Sequence, residues 1–477
     1  MALLNITGYD FTDYSSELED LQQRHIHVVR REPNITYQDE FALGELLIDN
    51  YRLYEQELVG WSRSYYSGEE HMKAIFNYSS PNTPITNIDV NLYKQAMANV
   101  REWLSSLPTV RAFNVLTELN QVRYEPSSAA GYDYTGAKGL IDGINHDRAI
   151  RRAKAVLWSA IAPDGEGIEH VIRTSVPDVG YTRTQLTNLE EKTKVRSVWG
   201  RAFHYILLEG TCAQPLLDAF KIGETFFHVG SDPTVSVPQI LSHIAGNCNW
   251  LYALDWSSFD ATVSRFEINT AFDIIKHKIE FCNFETEQCF EICRQLFIHK
   301  KIAAPDGKIY WSHKGIPSGS YYTSIIGSII NRLRIEYIWL SIKGRGPKMC
   351  YTQGDDSICG DDERVKSEDF ADIANNIGWL INPAKTETSR YPEFVTFLGR
   401  TSYGGLNHRN LIRCLRLLIF PEYPVPNGAI SAYRAQAIAT DAGNTSQILN
   451  AISRRLRLRY GVASHDEVPK ELRLYKV

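Results

Sequence analysis

From about residue 245 the hydrophobic and polar positions fall into periods that name their elements. Trp250-Leu251-Tyr252-Ala253-Leu254 is an unbroken apolar run ending at Asp255, which predicts a short buried strand. Ile268, Phe272, Ile275 and Ile279 then recur at steps of four, three and four, predicting a helix with one buried face. Pro305-Asp306-Gly307 marks a turn, and Gly315-Ile316-Pro317-Ser318-Gly319 a loop leading into a second helix. That helix carries an apolar stripe at Ile326, Ile330, Leu333 and Tyr337. Ser320, Ser324, Gly327 and Asn331 keep the same spacing on its other side. A small, polar face opposite a greasy one predicts a site rather than plain solvent. Residues 349–353 and 357–359 predict a hairpin with Gly354-Asp355-Asp356 at its tip. Gly360-Asp361-Asp362 reads as a solvated turn. A last helix is predicted over 444–460, with Ile448, Leu449, Ile452 and Leu456 inward and Gly461 as its stop. Strand, helix, helix and hairpin in this order predict an α+β fold.

Composition narrows the class. A chain of 477 residues with 43% hydrophobic and 22% charged positions is globular, of about three structural units, and needs no staples to bury a core. Its net charge of −5 argues against a protein that coats nucleic acid by bulk charge. The charge is uneven, however: residues 1–80 carry a net −8 and residues 400–477 a net +7. Either a polyanion is handled near the C-terminal end or arginines solvate helix faces there, and charge alone does not choose. The eight cysteines include no C-x-x-C pair, so reduced thiols are expected rather than a zinc site or disulfides. The start lacks a basic, then apolar, leader, and no stretch approaches the ~20 apolar residues of a bilayer span, so no membrane is expected. Within the Gly-, Ser- and Tyr-rich loop 123–145, Gly131 and Gly136 have P-loop spacing. Ala137 separates Gly136 from Lys138 and no hydroxyl residue follows the lysine, so a P-loop is rejected.

The acids carry the chemistry. An aspartate ending an apolar strand is costly unless it is paired, hydrogen-bonded or cation-bound. If the hairpin lies beside the first strand, Asp255, Asp355 and Asp356 converge on an oxygen-rich site suited to Mg²⁺ or Mn²⁺. A lone Gly-Asp-Asp is also ordinary turn chemistry, so order and spacing matter more. Asp255-x-x-x-x-Asp260 is followed by Ser318-Gly319-x-x-x-Thr323, Asn331 and Gly354-Asp355-Asp356. Asn382-Pro383-Ala384-Lys385 and Phe397-Leu398-Gly399-Arg400 come after them. This series resembles the palm motifs of viral RNA-dependent RNA polymerases. The phrases DWSSFD, GIPSGSYYTSIIGSIIN and TQGDDS are most similar to the partitiviruses, small double-stranded RNA viruses, with picobirnavirus enzymes next.

The resemblance, which spans about 123–400, implies roles residue by residue. Asp255 and Asp355 would be the main metal ligands, with Asp356 and the Trp256 carbonyl beside them, for Mg²⁺ or Mn²⁺. Asp260 would face the ribose 2′-OH of the nucleotide, Ser318, Thr323 and Asn331 would help hold it, and Gly319 would let the loop flex. Gly327 stands where many positive-strand relatives carry Asn, and Asn331 lies one turn further on the same face. Lys194 and Arg196, helped by Arg183 and Lys192, would receive the triphosphate. Ser127, Ser128 and Gly131 would guide template, Lys385 would protonate pyrophosphate, and Phe397 to Arg400 would brace the nascent strand.

The implied architecture is a right hand: fingers from 1–245 with an insertion at 280–317, palm from 246–279 and 318–400, and a small basic helical thumb from 401–477. The implied activity is RNA-directed RNA synthesis by two-metal nucleotidyl transfer, for transcription and genome replication with primer-independent starts. Its partners would be RNA template, nascent RNA, NTPs and a viral capsid protein, within virions in host cytoplasm. Two alternatives stand beside it. A reverse transcriptase usually places an aromatic gate where Asp260 lies, and a non-catalytic RNA-binding protein would have no need of intact acids.

Overall fold

The computed structural model describes residues 14–26, 35–83, 85–191, 193 and 195–473. Its centre is a four-stranded antiparallel sheet. The Met349–Gln353 and Asp356–Asp361 strands form a hairpin, Trp250–Ala253 pairs with the second of them, and Glu387–Ser389 closes the other edge. The Thr323–Lys343 helix packs beneath it, with every residue from Ile325 to Leu340 buried. Two buried ion pairs fix this helix: Arg332 with Glu336, and Arg334 with Glu267. Glu267 also caps its own helix, Arg265–Lys276, by accepting from the Ser264 amide and hydroxyl. Removing one partner of such a pair costs about 3–5 kcal/mol, because a buried charge is left uncompensated.

A second sheet of five strands orders Leu18–Arg24, Lys308–Ser312, Lys300–Ala303, Asp178–Arg183 and Arg196–Gly200. The segment 280–317 therefore supplies strands to the same sheet as the first 245 residues. Four helices, Glu40–Asp49, Leu411–Ile419, Gly428–Asp441 and Gln447–Tyr460, share a separate core around Leu46, Leu415, Ile438 and Leu456. Residues 40–58 thus belong in space with the C-terminal helices, and the expected boundary that gave all of 1–245 to the fingers is corrected by this packing.

Three further expectations change. Ile279 leaves its helix, which ends at Lys276, and pairs as a strand with Val110. Gly360-Asp361-Asp362 is no solvated turn: the strand runs to Asp361, which is buried and held by Arg345 and the Trp339 indole. The uneven charge is partly spent between the chain's own ends, through Asp39–Arg434, Glu45–Arg459, Asp49–Arg455 and Glu57–Arg416. Among the described residues no helix is long and apolar enough to cross a membrane.

Candidate active site

The acids meet at one end of the four-stranded sheet. In the register that pairs Tyr252 with Cys359 and Trp250 with Asp361, continuing along both strands brings Asp255 level with Asp356. The hairpin turns in two residues, Gly354 and Asp355, with Gly354 at φ 58°, where a side chain would be strained. The helix below holds this turn. Ser328 Oγ accepts from Gly354 N at 2.8 Å, and Asn331 Nδ2 donates to the carbonyls of Gly354 at 2.9 Å and Asp356 at 3.1 Å. Asn331 Oδ1 accepts from Trp256 Nε1 at 2.8 Å, so one fully buried amide ties the Asp255 segment to the Asp355 segment. The expected contact of Asn331 with ribose is corrected: its polar atoms are all engaged inside the protein.

Asp356 Oδ2 accepts from Leu398 N at 2.9 Å, in a two-residue turn where Leu398 and Gly399 take φ 52° and 72°. Phe397 is buried in the core behind the sheet. Arg400 pairs with Asp441 and donates to Leu398 O. Both therefore face protein rather than a groove for the nascent strand, and the turn they close braces Asp356. Glu387, which the sequence reading missed, lies opposite Ala253 in the register and accepts from the amide and hydroxyl of Thr396. Only its place two residues beyond Lys385 could have signalled it.

Crowding of these acids sets their protonation. Burial first, then Asp355, pushes the Asp260 carboxyl up to about 7 against the pull of Arg196 and Lys300. Burial also lifts Asp356 to about 7, opposed by the Leu398 amide and reinforced by Asp355 and Glu387. Asp355, open to the cleft but desolvated by its walls, is raised too, with Asp255 adding and Arg196 opposing. Glu387 is raised by burial and by Asp255. Neither Asp255 nor Asp355 has an ion-pair partner among the described residues. A set of crowded oxygen donors short of compensating charge fits a hard divalent cation.

The sign of the resulting pH dependence follows. Carboxylates raised on folding bind protons between about pH 4 and 7 that the unfolded chain has released, so metal-free stability falls as pH rises through that window. Cations compete with those protons. Mg²⁺ or Mn²⁺ is expected to lift the thermal midpoint more at pH 8 than at pH 6, read by scanning calorimetry. An equal lift at both would remove these carboxylates as cation ligands.

Around the acids lies the loop before the long helix. Ser318 Oγ accepts from Trp199 N at 3.0 Å, and Thr323 Oγ1 donates to Pro317 O at 2.7 Å. A Cβ on Gly319 would come within 2.0 Å of Trp199 O, so the glycine serves close backbone packing rather than flexing. Ile316 N donates to Asp260 O, joining this loop to the segment that carries Asp255. Arg183 and Arg196 stand directly opposite each other on paired strands. Like charges so placed repel, which an anion between them would relieve. With Arg63 and, from the C-terminal helices, Arg413 and Arg416, they line a cavity of about 470 Å³. Lys192 and Lys194 lie outside the described residues.

Ser128 borders a second cavity, of about 700 Å³, together with Arg183, Gly319 and Ser320. Ser127 and Ser128 are tied to Glu125, and Lys138 donates to Ser128 Oγ and Ala129 O. Gly131, at φ 101°, packs where a Cβ would lie 2.8 Å from Ala202 Cα. Lys385 is exposed on the turn whose Asn382 N donates to Asp255 O. A separate acid–histidine group, Asp142, His146 and Asp147, opens the Ile144–Ile161 helix, but its histidine Nδ1 already accepts from Asp142 N.

Paired aspartates on a hairpin and a neighbouring strand, under a sheet of fingers and beside a helical thumb, define a right-hand polymerase. The chain belongs to the viral RNA-dependent RNA polymerase family, whose sequence profile matches residues 37–457. Its fold is similar to the RNA-dependent RNA polymerase of a human picobirnavirus, at a TM-score of 0.67 and 17% identity, covering 91% of this chain and 86% of that one. An insertion-loop deletion mutant of the same enzyme aligns at 0.66, covering 91% and 89%. A stretch of 120 residues is 35% identical to the RNA-directed RNA polymerase of Cryptosporidium parvum virus 1. That match spans 24% of this chain and 22% of the relative.

Proposed function

We propose that this chain is the RNA-directed RNA polymerase of a double-stranded RNA virus of partitivirus-like kind, serving transcription and genome replication. The observation that carries the reading is the convergence of Asp255, Asp355 and Asp356 next to the half-buried Asp260. Asp255 and Asp355 would hold two divalent cations, which when bound supply activation of a 3′-OH and charge neutralisation on the leaving pyrophosphate. The rest falls to the chain itself. Arg183 and Arg196, joined by Lys192 and Lys194, draw the triphosphate in. Asp260 accepts from a ribose 2′-OH and loses that partner with a deoxynucleotide. Ser127, Ser128 and Gly131 flank the template's path, and Lys385 is placed to give a proton to pyrophosphate. A capsid protein as partner and the virion in host cytoplasm as compartment complete this reading, on family resemblance alone.

The test is labelled NTP incorporation on single- and double-stranded RNA with Mg²⁺ or Mn²⁺. Template-length RNA from rNTPs, little product from dNTPs and none with chelator are expected. Preference for dNTPs would favour a reverse transcriptase. RNA binding that is indifferent to cations and yields no product would favour a non-catalytic binder.

A further inference from the structure

Glu209 sits in the middle of the Phe203–Ile222 helix, 2% exposed, directly behind the Ser318-Gly319-Ser320 loop, which the family resemblance sets against the nucleotide. One carboxylate oxygen accepts from Ser320 Oγ. Ser320 Oγ in turn accepts from Tyr322 N at 3.1 Å. A relay thus runs from the carboxylate through the serine to the residue that opens the long palm helix. The second oxygen, Oε1, has no hydrogen bond and lies 3.8 Å from Arg201 Nε. Arg201 is itself shared with Asp178 at 3.9 Å and donates to Leu296 O.

Stability does not explain this arrangement. A buried carboxyl with one bare oxygen and a distant, shared counter-ion is a poor contributor to folding, and a neutral residue of similar volume would serve the core as well or better. What the carboxylate does provide is a hold on the loop. Its neighbours are tied by fixed contacts: Ser318 to Trp199 N, Gly319 against Trp199 O, and Ile316 N to Asp260 O. Ser320 is tied through a charged side chain from another element.

We propose that Glu209 is a positioning residue for nucleotide binding, whose carboxylate anchors the Ser318-Gly319-Ser320 loop from beneath and so sets where Ser318 and Asp260 meet the sugar. This rests on the polymerase reading of the site. Burial pushes Glu209 up to about 7, against Arg201 and the Ser320 hydrogen bond. Arg201, Asp178, Cys293 and Tyr322 are the other ionisable groups around it.

The experiment compares Glu209→Ala, Glu209→Gln and Ser320→Ala with the native chain. Loss of a hydrogen bond to a charged group predicts that Glu209→Ala and Ser320→Ala raise KM for NTP about tenfold, with kcat within about twofold. Glu209→Gln, which keeps an acceptor for the serine, is expected to stay within about threefold of native. Amide hydrogen exchange over residues 318–322 should quicken in the two alanine variants, a readout that needs no synthesis. Unchanged KM and exchange overturn the proposal. So does a fall in kcat together with a lowered thermal midpoint, which marks a merely structural group. A native chain that makes no RNA would overturn the polymerase reading instead, while exchange would still decide the anchor.

Discussion

Asp355→Asn is expected to abolish nucleotide incorporation and to leave the metal-free protein at least as stable as the native chain. The two effects share one cause. Asp355 is at the hairpin tip with its carboxyl raised by desolvation and by Asp255, and it in turn raises Asp260 and Asp356. Replacing it with the isosteric amide keeps the turn, which is held through the main chain by Ser328 and Asn331. The substitution removes a charge that three neighbours repel. Above about pH 7, where Asp260 and Asp356 ionise, the variant should therefore melt no lower than native protein. It also removes an anionic cation ligand, and losing that charge stabilisation costs several kcal/mol in the transition state, about a thousandfold or more in rate. Labelled NTP incorporation and scanning calorimetry on the same samples check both halves. Retained activity would displace Asp355 from the centre. Lost activity with a collapsed midpoint would mean that the hairpin, and not the charge, had failed.

That prediction draws on a part of the site that was legible in the sequence. The strand ending at Asp255 and the hairpin tip at Asp355 were marked by apolar runs that stop at acids, a pattern set by local periodicity and turn chemistry. The long palm helix was legible from its stripe, and its small polar face does lead to the hairpin: Gly327 lies under Gly354, and Asn331 grips the turn. What periodicity could not show was direction and partnership. Ile279 kept the helical step yet was drawn into a strand by Val110, far away in sequence. Asp361 looked like a turn residue because Arg345 and Trp339, which bury it, reach it only in three dimensions. Arg400 and Phe397 looked like a nucleic-acid brace for the same reason. The acidic start and basic end of the chain could not be read as partners until Glu40–Asp49 was found packed on Gln447–Tyr460.

Asn331 is where this difference between sequence and structure has its sharpest consequence. Its amide makes three hydrogen bonds, to Trp256 Nε1, Gly354 O and Asp356 O, with no exposure to the cleft. Asn331→Leu would leave the buried Trp256 indole donor without a partner, at about 1–3 kcal/mol before relaxation, and would release the carbonyls of Gly354 and Asp356. The Asp255 and Asp355 segments would lose the tie that spaces them. By analogy with groups that orient metal ligands, incorporation should fall about 10–100-fold, with a weaker apparent affinity for Mg²⁺. Asn331→Asp should fare no better, because a carboxylate facing two carbonyls offers no donor to either and adds a charge behind an acid cluster already short of cations. The discriminating measurement is the ratio of rNTP to dNTP incorporation. Since the side chain never reaches the cleft, both substrates should decline together and the ratio should hold. A ratio that collapses while Mg²⁺ dependence stays native would put Asn331 back against the sugar and require the hairpin to be held by Ser328 alone.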